Sequence, residues 1–295
     1  MAMILTAFPK EYDADVMVAV MEELAAVSAA WREYYNISTT GKYIENWTTY
    51  AGMTQVPEWG DGVDLPIDEA MKIADLAVTQ VFYGLGFKVS RKHVKYGQSN
   101  VIADWATSLG QSAAQTYHNL HVATLDNAFA TNLASLGTKP LCSATHATAG
   151  GGTRSNLLAA AALSAANLEA LRLKGDNWVD YRGLNRPLDF AGAKLVTNPA
   201  LRRTAQQILQ SEGEAGTAQN QINVHRGVFQ WVNEQLSSTT AYFLIGRGNG
   251  LKSVHGMTPT PIRYVEPNGN LVHGLEFDFG VGVKHADGVV GCAGA

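Results

Sequence analysis

The stretch SNVIADWATSLGQSAAQTYHNLHVATLDNAF, residues 99–129, decides how this chain is organised. Val101, Trp105, Leu109, Ala113, Tyr117 and Leu120 recur at the three- and four-residue spacing of one helix face. Ser99 or Asn100 stands where a helix cap is expected, and Gly137 and Pro140 follow where a helix must stop. The expected helix has about 34 residues, or about 50 Å at 1.5 Å per residue. Globular helices usually run about 8–20 residues. Gly110 inside it costs about 1 kcal/mol against alanine, so packing must hold the helix. It reads as a spine along which the other parts are arranged.

Upstream, residues 13–35 carry Met17, Val20, Met21, Leu24, Val27 and Trp31 at helical spacing, with Asp13 or Asp15 as a cap. Residues 36–72 change character, with many Thr, Trp and Tyr and few aliphatic side chains. The run EWGDGVDLP, residues 58–66, is a strong turn signal. Residues 75–90 on its far side are rich in β-branched and aromatic types. Two extended arms joined by a charged tip describe a long hairpin. Its core is too thin for it to stand alone, so it must lie on another surface. The tip carries Glu58, Trp59, Asp61 and Asp64, and its base carries Arg91, Lys92 and Lys95. These are the candidate contact residues between neighbouring chains.

Downstream, an Ala/Leu-rich helix is expected over residues 155–174, opened by Ser155 or Asn156. A strand is expected over 193–197, then a helix with Asn198 as cap and Pro199 at its first position. Strand-like runs follow at 226–232 and 240–245. The alternation over 272–290 predicts one or two further strands.

Few residues offer chemistry. PLCSATHATAGGGTRSN, residues 140–156, holds the types of nucleophilic catalysis in Cys142, Ser143 and His146. It has no G-x-S-x-G elbow and no familiar cysteine-protease context, so it reads as a structural connection. His118 and His121 are spaced for one metal, but no third ligand or H-E-x-x-H accompanies them. GRGNG, residues 246–250, is no phosphate loop, because Leu251 separates Gly250 from Lys252. Gly84-Leu85-Gly86 lacks the third glycine of a dinucleotide fingerprint. Both read as turns. No catalytic residue, metal site or cofactor is expected.

Bulk composition narrows the class. Of 295 residues, 46% are hydrophobic and only 16% charged, with a formal net charge of −4. A surface so short of charge expects a partner. No Lys/Arg block exists to displace phosphate counterions, which argues against tight nucleic-acid binding. Two cysteines make neither a disulfide framework nor a zinc quartet. No stretch reaches the roughly 18 apolar residues of a membrane span.

The order of parts (arm, hairpin, spine helix, α+β region, returning strands) resembles the major capsid proteins of tailed bacteriophages, the HK97-like fold. The chain is most similar to the Mu-like prophage major head subunits. That family carries a motif of the type L-F-S-x-x-H, then Gly-Gly, then Ser-Asn. It stands here as Leu141-Cys142-Ser143-Ala144-Thr145-His146, Gly150-Gly151-Gly152 and Ser155-Asn156, with Cys142 where an aromatic is usual. Residues 187–212 and the run HGLEFDFGVGVKHADG, 273–288, carry the rest of the resemblance.

The resemblance implies an α+β HK97-like chain. Its parts would be an N-terminal arm with a helix at 1–39, an extended hairpin loop at 40–92, and a peripheral domain with the spine at 93–156. A mainly axial α/β domain at 157–265 and returning strands at 266–295 complete it. It implies a non-enzymatic head protein that assembles with itself as hexamers and pentamers into an icosahedral shell around double-stranded DNA. Portal, separate scaffold and decoration proteins would be its partners, and the DNA would be held non-specifically. The site of action would be the virion capsid, built in the bacterial cytoplasm. Two alternatives stand beside it: an encapsulin-type compartment shell, and a small cytosolic hydrolase using Cys142 or Ser143 with His146.

Overall fold

Two long strands form the frame of the molecule. In the computed structural model, which describes residues 9–26, 29–96, 99–213 and 222–295, the chain opens with α1 (Pro9–Ala26) and a 3-10 turn (Ala30–Glu33). β1 (Asn36–Thr39), β2 (Ile44–Tyr50), β3 (Lys72–Thr79) and β4 (Val81–Val89) follow, then the short α2 (Arg91–Lys95) and the spine α3 (Ser99–Asp126). Three two-residue strands come next: β5 (His146–Ala147), β6 (Thr153–Arg154) and β7 (Leu157–Leu158). The remainder is α4 (Ala165–Asp176), β8 (Lys194–Thr197), α5 (Arg202–Gln210), β9 (Gln230–Asn233), β10 (Tyr242–Ile245), β11 (Leu251–Val265), β12 (Leu271–Val283) and β13 (Val289–Cys292). No described helix is long and apolar enough to cross a membrane.

The first sheet has the order β1-β11-β12-β4. β12 pairs antiparallel with both β11 and β4, and β1 adds in parallel to β11. The spine helix lies on β12 through an aromatic column. The Tyr117 ring stacks 4.6 Å from Phe277 and 4.5 Å from Phe279, and Trp31 stacks 3.7 Å from His121. Such ring pairs contribute about 0.5–1.5 kcal/mol each beyond their buried area. The second sheet, β7-β13-β10-β8-β9, is covered on both faces. Phe243 and Ile245 of β10 face the spine's core, while Tyr242 and Leu244 join a second core with Leu168 and Leu171 of α4 and Ile208 of α5. A strand that alternates between two apolar cores must be apolar throughout, and YFLI is.

Several boundaries differ from expectation. The first helix starts at Pro9, so Asp13 and Asp15 lie inside it, and Trp31 sits in the separate 3-10 turn. Val27 lies outside the described residues. The spine has 28 residues and ends at Asp126. There the Asp126 carboxylate turns to accept hydrogen bonds from Ser237 N and Oγ, each at 2.7 Å. The 155–174 helix begins ten residues late, at Ala165, and Ser164 caps it, its Oγ accepting from Asn167 N at 3.2 Å. Gly84 and Gly86 are no turn: they lie inside β4, opposite Glu276 and Gly274. The far arm of the hairpin is divided at Gln80. β3 pairs with β2, whereas β4 leaves the hairpin for β12.

Gly110 has a specific cause. The spine crosses α1 there so closely that a Cβ would stand 2.6 Å from the Val20 carbonyl oxygen and 3.0 Å from Glu23 Cβ. The helix backbone cannot yield as a flexible side chain would. In an exposed helix Gly→Ala gains about 1 kcal/mol. Here Gly110→Ala is expected to destabilise by about 1–3 kcal/mol through overpacking, seen as a lower urea midpoint at unchanged slope.

Candidate functional site: a buried connection and an exposed hairpin tip

The 140–156 connection is organised by one side chain. Asn156 is fully buried. Its Nδ2 donates to Leu141 O at 2.8 Å and to Val289 O at 2.9 Å. Its Oδ1 accepts from Ser143 N at 2.8 Å and from His146 Nε2 at 3.1 Å. An amide has two donors and two acceptor positions, and all four are used. The contact also fixes the His146 tautomer. Nε2 faces two acceptors, Asn156 Oδ1 and Leu141 O, so it carries the proton. Burial, reinforced by Arg154, holds this ring below the usual histidine range.

The same geometry removes the catalytic reading. Cys142 is buried, with its N–H on Ala128 O at 2.8 Å, and burial pushes its thiol pKa up, away from thiolate. Ser143 Oγ accepts from Thr145 N at 3.2 Å in a local turn. His146 bonds neither group, so no nucleophile–base pair forms. Ser155 and Asn156 cap no helix, since the chain runs extended into β7. Asn156→Ala would leave buried partners unsatisfied at about 1–3 kcal/mol each. The expected result is a loss of several kcal/mol in denaturant unfolding, while Cys142 in the folded wild-type chain stays unmodified by a thiol reagent.

The spaced histidines do not meet on a common point. His118 Nδ1 lies 3.1 Å from Glu234 Oε1, a buried carboxylate that also accepts from the Tyr34 hydroxyl at 2.9 Å. His121 Nδ1 donates to Tyr117 O at 2.6 Å, and its Nε2 meets Ser253 Oγ at 2.8 Å. No metal-binding cluster occurs among the described residues. Burial lowers the His121 pKa to about 4, with the bond to Tyr117 O opposing it and the Arg32 charge acting in the same direction. The ring is therefore neutral in the fold, and the unfolded chain takes up the proton first, near pH 6.5. Stability contributed by His121 is present above that pH and is lost as pH falls toward 4, by about 3 kcal/mol in all. Glu234, raised by burial, acts in the opposite direction. The readout is thus a comparison: stability between pH 6.5 and 4 should fall less steeply in His121→Asn than in the wild type.

The hairpin projects from this body. β3 lays Val78 and Leu76 across Gly280 and Gly282 of β12, and a Cβ at Gly282 would come within 2.6 Å of Val78 Cγ2. Beyond it, residues 51–71 carry little regular structure. Two arginines hold this stretch to the body. Arg182 Nη1 donates to Asp68 Oδ1 at 3.1 Å and Nη2 to Glu69 O at 2.7 Å; Arg186 Nη2 donates to Met53 O at 2.6 Å. Asp68 is held below the usual carboxylate range, chiefly by the Thr54 N–H it accepts. Sequence reasoning missed both arginines, because nothing in the polar run 176–190 links it to the hairpin.

The apolar side chains of the tip find little cover: Val56 is 90% exposed, Ile67 89% and Trp59 60%. The Trp59 indole N–H turns inward to Val63 O at 2.6 Å. Glu58, Asp61 and Asp64 are exposed and form no ion pair among the described residues. At the base, Arg91 and Lys92 are exposed, and Lys92 and Arg91 likewise form no ion pair there. The Lys95 side chain lies outside the described residues. Among the described residues, the tip acids therefore do not meet Arg91 or Lys92 of their own chain. Between Lys42 and Lys72 the sequence holds no Lys or Arg at all, against acids at 45, 58, 61, 64, 68 and 69.

A long helix on a largely antiparallel sheet, a second apolar core and a projecting hairpin make up a fold of the HK97-like type. The fold is similar to the capsid of Ralstonia phage GP4, with TM-score 0.59 at 11% identity over 88% of this chain and 85% of that one. The procapsid of bacteriophage JBD30 gives 0.55 at 11% identity, over 98% and 75%. A virus-like particle from Pyrococcus furiosus gives 0.55 at 11% identity, over 96% and 99%. No curated protein matches the chain by sequence. The chain belongs to the phage capsid protein family, whose model matches residues 73–291. It is a major capsid protein, a structural component and not an enzyme, and the hydrolase alternative falls with the family as well as with the geometry.

Proposed function

We propose that this chain builds an icosahedral phage head from hexamers and pentamers, as a Mu-like head subunit, with the hairpin tip lying on an adjacent copy. The tip itself carries the reading: exposed Val56, Trp59 and Ile67 beside three carboxylates that form no ion pair among the described residues. Exposed apolar groups rimmed by charge mark an interaction surface. Arg91, Lys92 and Lys95 of the neighbour supply the opposite sign. In this arrangement residues 1–39 serve as the arm, 40–92 as the extended loop and 93–156 as the peripheral part. Residues 157–265 form mainly the axial part around the symmetry axes, and 266–295 return to close the sheets.

The motif from Leu141 to Asn156 supports the Mu-like assignment. A net charge of −4 suits a wall that encloses DNA without gripping it. Portal and separate scaffold proteins, with a decoration protein on the outer face, complete the assembly in the bacterial cytoplasm. The fold likeness to the Pyrococcus furiosus particle supports a second reading, a compartment shell. Co-purified cargo enzyme in place of DNA would favour it, and the phage capsid family match weighs against it.

Deleting residues 58–66 should leave folded subunits or capsomers but few closed shells by negative-stain microscopy. Normal shells would overturn the hairpin's role. Exposed ion pairs are worth about 0.2–1 kcal/mol each, so Asp61→Lys with Asp64→Lys should weaken assembly without abolishing it. Arg91→Glu with Lys92→Glu in the same chain should restore part of the loss. Failure of that swap would remove the charge pairing while leaving the apolar contact.

A further inference from the structure

Between residues 49–52 of the hairpin and the body lies a cleft of about 320 Å³. Its lining includes Thr49 to Gly52, Trp178, Asp180 and Tyr181, and residues 284–287. Four cations line it, Lys139, Arg154, Arg186 and Lys284, against two carboxylates, Asp180 and Asp287. The arginines use both carboxylates: Arg154 Nη1 lies 2.9 Å from Asp287 Oδ1, and Arg186 Nε 2.9 Å from Asp180 Oδ2. Lys139 and Lys284 therefore remain as a surplus of two positive charges, with no ion pair among the described residues. This surplus stands in a chain whose own net charge is −4.

The polar atoms of the cleft are also short of acceptors. The Arg154 side chain is only 9% exposed, yet its Nε has no hydrogen-bond partner. A buried guanidinium N–H without an acceptor costs free energy that a bound acceptor would recover. The His285 Nδ1 is buried too, with the Asp287 Oδ2 carboxylate oxygen 4.0 Å away. Lys284 presses on a second lysine. Burial, and then the charge of Lys284, hold the Lys252 ammonium below the usual lysine range. All these groups call for a ligand that accepts hydrogen bonds and carries negative charge. The Arg154 guanidinium lies 4.8 Å from the Trp178 ring and covers one of its faces. At about 30 Å³ per water, the cleft has room for a small tetrahedral ion with several waters.

We propose that this cleft is a binding site for a small oxyanion of the phosphate class, held between Lys139, Lys284 and the Arg154 N–H. The inference does not depend on the arrangement of subunits in the shell. Bound there, the ion ties residues 49–52 of the hairpin to the body.

The test uses the full chain at a concentration where it is unassembled, with inorganic phosphate as the probe. Phosphate stabilises folded proteins generally by exclusion from their surface, so a thermal shift alone is no test. Isothermal titration at constant ionic strength, with chloride as the balancing anion, should show saturable binding of one phosphate per chain. Lys139→Gln with Lys284→Gln should weaken it at least tenfold while the circular dichroism spectrum stays unchanged. Should the double variant fail to fold, Lys284→Gln alone should still weaken binding several-fold. Absence of saturable binding, or the same affinity in a folded variant, would overturn the proposal.

Discussion

The contact between Tyr117 and the two phenylalanines of β12 sets the position of everything else. It joins the middle of the spine helix to the middle of the longest pair of strands. Rings stacked at such distances resist sliding, because movement along the strand by one residue would present Asp278 in place of an aromatic face. With helix and strand locked, the direction of β11 and β4 follows from pairing, and β1 follows from β11. Trp31 continues the column on the other side through His121. The N-terminal segment is thereby tied to the same point, and the close crossing at Gly110 becomes a necessity of that placement.

The second sheet depends on this frame without belonging to it alone. Its central strand buries both faces, one against the spine's core and one against α4 and α5. Polar contacts reinforce the junction at its margins. Glu234 receives Tyr34 and His118, Lys194 reaches Glu33 at 3.2 Å, and Asn156 ties the 140–156 connection to β13. A protein built this way transmits load through shared apolar walls while its loops remain free to meet neighbours.

Elements with strong periodicity were legible in the sequence. The spine, β8, β10 and β12 follow directly from apolar spacing, and Asn198 does cap the turn at Pro199, accepting from Ala200 N at 2.9 Å. What stayed hidden depended on distant partners. Residues 159–162 are four alanines and invite a helix, yet Leu157 and Leu158 pair with β13 and hold the chain extended. β11 escaped notice because its two prolines argue against a strand. Register irregularities between His255 and Thr260 absorb the distortion around Pro259. The tip acids and base cations could be named from their exposure-prone composition, but the two arginines that hold residues 51–71 could not, since their partners are largely backbone oxygens.

Those arginine contacts have a kinetic consequence. The outer part of the hairpin is fastened by a handful of hydrogen bonds that water can replace, while its apolar side chains stay outside the subunit's cores. Letting it go therefore opens no cavity and exposes little new apolar surface. A subunit so constructed separates the barrier for repositioning its arm from the barrier for unfolding. In the assembly proposed above, a misplaced copy would detach its hairpin, turn and seat again while its fold persists, so that errors are corrected on the timescale of loop motion and not of refolding.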